Sequence, residues 1–330
     1  MENDYKIKTV LIGTPEFAEN IFRKFYNALK NQFEIVGVIT ASDKPVGRKQ
    51  ILTPSPVKKW ATENDLPIFQ PDKIKSPKWI EKIKTIGPRL IILAAYGQII
   101  PKEILEIPQY GALNIHPSLL PKYRGPSPIQ TTILNGDKET GVTIILMDEE
   151  MDHGPIIQNS KFKIQNSKIT HIELSKQLSD LGAELLIKAL PDYIQKKIQP
   201  QEQNHRQASF CPIIKKEDGK IDWSKSADEI ERMIRALNPW PGTYCEYKNQ
   251  NENLKLKILE ADTVNKKNPS TTIGAGYKIG EAFLDENKNL CVQTGNGALI
   301  LKTIQLEGKK PATAKEFLNG HKEIVGAILQ

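Results

Sequence analysis

Cysteine is scarce in this chain. Its 330 residues hold three, Cys211, Cys245 and Cys291, far apart and without C-x-x-C spacing. That pattern suggests neither a disulfide framework nor a cysteine zinc site, and reads as free, mostly structural thiols; no metal is expected. Long apolar runs are missing too, and none approaches the about 20 residues that a membrane-spanning helix needs. The opening MENDYKIK carries charges of both signs and no apolar stretch of signal-peptide length, so the expected location is cytoplasmic, without membrane contact. No G-x-G-x-x-G fingerprint occurs, which disfavours a dinucleotide cofactor. Internal repeats and low-complexity tracts are absent. Charge of one sign is also thin: 46 basic and 39 acidic residues are interleaved, giving a formal +7. Such an excess suits a polyanionic partner and is equally common in proteins that have none.

What the chain does have is alternation. Lys8 to Ile12 is a β-branched run ending at Gly13-Thr14-Pro15, and Glu16 to Leu29 follows with Phe17, Ile21, Phe22 and Phe25 on one helical face. Glu34 to Thr40 and Leu90 to Ala95 are further strands. Buried strands alternating with amphipathic helices predict an α/β domain with a Rossmann-like parallel sheet, whose sites form at the carboxyl ends of strands near a switch point. Lys161 to Ile164 reads as an extra strand. Thr170 to Ile194 reads as a helix with a core stripe of Leu174, Leu178, Leu181, Leu185 and Leu186. Residues 196–209 are polar and without period, and read as a linker. Beyond them a helix at Ser226 to Leu237 and short strands at Leu254 to Leu259, Leu290 to Thr294 and Ala298 to Ile304, separated by Gly, Asn and Asp, suggest a small β-barrel. The expected division is 1–195, linker 196–209 and 210–330.

The stretch Gly111 to Ile157 concentrates the chemistry. Asn114 and His116 sit two apart in an apolar run, so on a strand both side chains leave one face. Downstream of the β-branched run Val142 to Leu146, the turn-like segment 148–154 carries Asp152, which can close on the same pocket. Between them SLLPKYRG, residues 118–125, with Pro126 and Pro128 after it, is a stiff loop. A second long loop, residues 41–58, is basic and broken by Pro45, Pro54 and Pro56; a solvated surface loop and a phosphate-contacting loop through Lys44, Arg48 and Lys49 both fit it. Trp240, between two prolines, reads as a packing residue.

N-x-H followed by SLLP-x-Y-R-G, ETGVTI and MD-x-G-P resembles the formyltransferases that use 10-formyltetrahydrofolate, and among them the methionyl-tRNA formyltransferases. GTPEF, DKPVGR with TPSPVK, AYGQIIP and RALNPWPGTY extend the resemblance over essentially the whole chain. It implies an OB-like second domain beside the acceptor arm of a tRNA, and 10-formyltetrahydrofolate as formyl donor without a metal. It implies catalytic roles for Asn114, His116 and Asp152. Folate contacts are implied from Tyr96 and Gly97 and from Ser118, Leu119, Leu120 and Pro121, and contacts to methionyl initiator tRNA from Lys44, Arg48 and Lys49. A monomer is expected. The competing readings are a formyltransferase acting on a small amine such as a nucleotide-linked amino sugar, and an idle RNA-binding protein of this fold.

Overall fold

The computed structural model describes residues 6–47, 50–248, 253–264 and 276–330. The chain folds as two compact units. The first comprises the chain through Pro128, 138–165 and 172–212; the second comprises 129–137, 166–171 and 213–330.

In chain order the elements of the N-terminal half are β1 (Ile7–Gly13), α1 (Glu16–Leu29), β2 (Phe33–Ile39), β3 (Lys44–Val46), β4 (Ile51–Thr53), α2 (Pro56–Glu63), β5 (Ile68–Phe69), α3 (Pro77–Ile86), β6 (Leu90–Ala94), α4 (Lys102–Leu105), β7 (Ala112–His116), α5 (Pro128–Leu134), β8 (Glu139–Leu146), β9 (Ile156–Lys163) and α6 (His171–Ile194). Seven of the strands form one sheet in the order β5-β2-β1-β6-β7-β8-β9. The first five run parallel, whereas β8 runs against them and pairs antiparallel with both β7 and β9, so the parallel sheet carries a mixed edge. The strand order reverses between β1 and β6, and that crevice is where ligands of doubly wound sheets bind. Helix α1 lays Phe17, Ile21, Phe22 and Phe25 into the core as their spacing requires, each fully buried side chain contributing roughly 1.5–3 kcal/mol. In α6 the leucine stripe is buried as expected except Leu181, which is half-buried.

The expected linker 196–209 is corrected. It belongs to the first unit through residue 212. Gln201 exchanges backbone hydrogen bonds with Ile156 at 2.7 and 2.8 Å, and the Arg124 N–H donates to Ser209 O at 2.8 Å. Its buried side chain, Gln203, serves carbonyls of the loop beside it while most of the others face solvent, which leaves the stretch without a period.

The second unit holds α7 (Ala227–Leu237), β10 (Thr243–Lys248), β11 (Asn253–Val264), β12 (Ala282–Leu284), β13 (Leu290–Gln293), β14 (Ala298–Leu306), β15 (Ala312–Thr313) and α8 (Ala314–Gly320). Ser226 caps α7 and Thr313 caps α8, each in a reciprocal capping box with the Glu three residues on. The strands form a curled antiparallel sheet in the order β10-β11-β14-β13-β12, with β15 on β14. Its outer strands are linked through residues 327–330: Leu329 donates to Gly280 O, and Gln330 and Glu246 exchange a pair of bonds at 2.7 Å. The result is an OB-like half-barrel around Tyr247, Leu256, Ile258, Leu290, Val292 and Leu299. Trp240 is not a packing residue: it stands 60% exposed beyond the end of α7.

Candidate active site

Strand β7 brings Asn114 and His116 to one face, as period-two spacing demands, and buries both, at 8% and 4% exposure. Because β8 runs antiparallel, the chain leaving it heads toward the start of β7, and the loop 148–154 must turn back to reach them. Two features make that turn. Gly154 lies so close to Leu146 that a Cβ would stand 1.9 Å from its carbonyl oxygen, and Asp152 adopts a left-handed φ of 50°. The turn delivers the Asp152 carboxylate beside both strand residues.

The contacts are specific. Asn114 Nδ2 donates to Asp152 Oδ1 at 3.0 Å, and the Gly125 N–H donates to Asp152 Oδ2 at 2.8 Å. His116 Nδ1 lies 3.5 Å from Asp152 Oδ1, and Nε2 lies 2.9 Å from the Tyr123 carbonyl oxygen. A carbonyl only accepts, so Nε2 carries a proton and Nδ1 is the ring nitrogen that faces the carboxylate. Gly125 has φ 115°, and a Cβ there would meet the Cys211 carbonyl oxygen at 2.6 Å, so only glycine brings this N–H to the carboxylate. Amide, imidazole and carboxylate thus converge.

The loop that supplies Tyr123 and Gly125 is fixed from inside. Thr143, paired with His116 across β7 and β8, donates its hydroxyl to Ser118 O at 2.7 Å and accepts the Leu120 N–H at 3.1 Å. Ser118 is 1% exposed and spends its hydroxyl on Lys122 O at 2.6 Å. Leu120 is buried, whereas Leu119 and Pro121 keep part of their surface. At the end of β6, Tyr96 packs into the apolar cluster with Ile12, Leu93 and Ile100, and burial pushes its hydroxyl up to about 12. Gly97, at φ 86°, is exposed.

Lys44 is exposed on β3, which pairs with β4 in a separate two-stranded ribbon. Arg48 and Lys49 lie outside the described residues. The three cysteines are free and buried. Among the described residues no cluster of His, Cys, Asp or Glu is arranged to hold a metal, and no helix is long and apolar enough to cross a membrane. Sequence reasoning missed the parts played by the Tyr123 carbonyl and the Gly125 N–H, which belong to a quoted motif, and by Gln203, for which no local signal exists.

Residues 6–190 match the profile of the formyl transferase family, and residues 213–322 that of the formyl transferase C-terminal domain. A methionyl-tRNA formyltransferase of Caldicellulosiruptor saccharolyticus is 42% identical over 97% of this chain and 99% of its own. Among solved structures, HypX of Aquifex aeolicus in complex with tetrahydrofolic acid superposes at TM-score 0.62 and 16% identity; the alignment covers 97% of this chain and 48% of that one, so the chain spans about half of that protein. An N-formyltransferase of Helicobacter canadensis, in complex with folinic acid and dTDP-3-aminofucose, superposes at 0.60 with 23% identity over 89% and 98% of the two chains. Those two likenesses show the fold, while the two profiles in tandem and the full-length identity show the lineage: this chain belongs to the methionyl-tRNA formyltransferases of the formyl transferase family.

Proposed function

We propose that this protein transfers the formyl group of 10-formyltetrahydrofolate to the amino group of methionyl initiator tRNA. The observation that carries the chemistry is the convergence of Asn114, His116 and Asp152 on one face of β7. Full-length identity to enzymes named methionyl-tRNA formyltransferase carries the acceptor.

In the reaction the amine lone pair attacks the formyl carbon and the carbonyl electron pair moves onto oxygen. Asn114 has two amide protons and spends one on Asp152, so the second is available to the developing oxyanion. Donors of this kind are worth about 3 kcal/mol in acyl transfer. The amine must shed a proton, and His116 Nδ1 with the Asp152 carboxylate forms the station that receives it. Collapse of the tetrahedral intermediate releases N10 of the folate, which takes up a proton. A covalent enzyme intermediate is unnecessary, since Ser118 is committed to its own loop.

The folate side is assigned to the crevice at the ends of β1 and β6. There exposed Ala95 and Gly97 leave main chain accessible to a flat heterocycle; Leu119 and Pro121, partly covered in the loop after β7, are assigned to the folate by their motif. The tRNA side is assigned to the β3–β4 ribbon with Lys44, Arg48 and Lys49, and to the half-barrel.

The test is formyl transfer from 10-formyltetrahydrofolate to methionyl initiator tRNA, against free methionine and amino-sugar nucleotides as acceptors. Efficient reaction of the charged tRNA alone is expected. Equal transfer to a small acceptor would replace this reading.

A further inference from the structure

We infer that Gln203 is a positioning residue for the transfer step, acting on Asp152 through the backbone of its turn. The inference rests on the role given to Asp152 above. Gln203 is 4% exposed, and its Nε2 donates to both Asp152 O, at 2.9 Å, and Gly154 O, at 2.8 Å. Its Oε1 accepts from Arg124 Nε at 3.1 Å and from Nη2 at 2.7 Å. The amide orientation is therefore unambiguous: reversed, its oxygen would face two carbonyls and its NH2 a guanidinium, which has no acceptor. Arg124 is itself 4% exposed, and its Nη2 also lies 2.8 Å from His205 Nδ1, which must accept.

Arg124 and Gly125 are adjacent, and together they grip one aspartate from two sides. The Gly125 N–H holds the carboxylate directly. Arg124 fixes Gln203, which holds the carbonyls at each end of the 152–154 turn. Asp152 has a left-handed φ of 50°, a conformation that costs a side-chain-bearing residue something, though aspartate less than most, and that outside contacts help to hold. Two donors on that turn's carbonyls are such contacts. Releasing them lets φ relax and swings the carboxylate away from Asn114 Nδ2 and His116 Nδ1. Gln203 touches neither reacting group.

The test is a double-mutant cycle between Gln203→Glu and Asp152→Ala, read as formyl transfer to methionyl initiator tRNA. Gln203→Glu keeps the length and the acceptor for Arg124 but removes both donors. We expect kcat to fall roughly 10- to 100-fold, with KM for folate and tRNA within about twofold, because the effect is confined to the reacting geometry. In the Asp152→Ala background the same substitution should cost nothing more, since its target is gone. A residue that merely stabilised the fold would subtract again. Where Gln203→Glu does not accumulate as folded protein by thermal melting, Gln203→Met goes through the same cycle. Near-normal turnover in a folded Gln203 variant, or equal losses in both backgrounds, would overturn the inference. If Asp152→Ala alone turned over normally, the role of Asp152 would fall first, and this with it.

Discussion

The sharpest perturbation of the site is Asp152→Asn, because it changes almost no volume. In the native protein Oδ1 accepts from Asn114 and Oδ2 from the Gly125 N–H, at 3.0 and 2.8 Å. An asparagine must point its NH2 at one of these donors whichever way it turns, so one charge-assisted hydrogen bond is lost. The negative charge opposite His116 Nδ1 is lost as well. A hydrogen bond to a charged group is worth about 1.5–3 kcal/mol, and the buried donor left unpaired adds to the cost. Taking roughly 3 kcal/mol or somewhat more as the loss in the transition state gives about a 100- to 1000-fold fall in turnover. The assay is single-turnover formyl transfer with saturating folate and methionyl initiator tRNA, alongside thermal melting, which the lost native contacts should lower by several degrees, and tRNA binding, expected to stay near wild type. A folded Asp152→Asn protein within threefold of wild-type turnover would refute the reasoning.

Three further outcomes follow from other parts of the molecule. Arg48→Ala should raise KM for tRNA, leave folate binding unchanged, and flatten the salt dependence of tRNA binding by about one counterion, which a titration over several salt concentrations reads directly. Gly154→Ala forces a Cβ into the Leu146 carbonyl, so it should lower Tm by several degrees and turnover with it. On the surface between α1 and α6, burial would raise the Asp180 carboxyl, but the Lys24 contact at 2.7 Å and the Asn20 amide hold it below the usual value. A depressed folded-state pKa contributes stability above the unfolded pKa, and that stability is lost as pH falls through the folded one. Lys24→Met should therefore cost a fraction of a kcal/mol, under ~1 after solvent screening, in denaturation at pH 7, and the difference from wild type should vanish at strongly acid pH.

The legible parts of this protein were those with a short-range signature. Strand period put Asn114 and His116 on one face, and helical spacing gave α1 to the residue. Asp152 was found from its motif, but the way it reaches the site was not. That path depends on β8 running antiparallel and on a left-handed turn, and neither leaves a periodic trace. Gln203 was hidden for a stronger reason: a polar residue that satisfies buried carbonyls of a distant turn looks, in sequence, like any residue of a solvated loop. Trp240 is the converse case: a large aromatic between prolines reads as a packing residue, yet it stands exposed.

Among the described residues, β3 and β4 pair with each other and with no strand of the larger sheets. Its base is tied by Lys58 to both oxygens of Asp43, at 2.8 and 2.7 Å, and by Gln70 to the same carboxylate at 2.9 Å. A loop anchored this way can be lengthened or shortened without shifting the register of any strand that positions Asn114 or His116. Doubling a flexible loop costs only about 0.6 kcal/mol in closure entropy. On the proposed assignment of the tRNA to this ribbon, the part that grips the acceptor is mechanically separate from the reacting centre, and its length can change while Asn114 and His116 stay still.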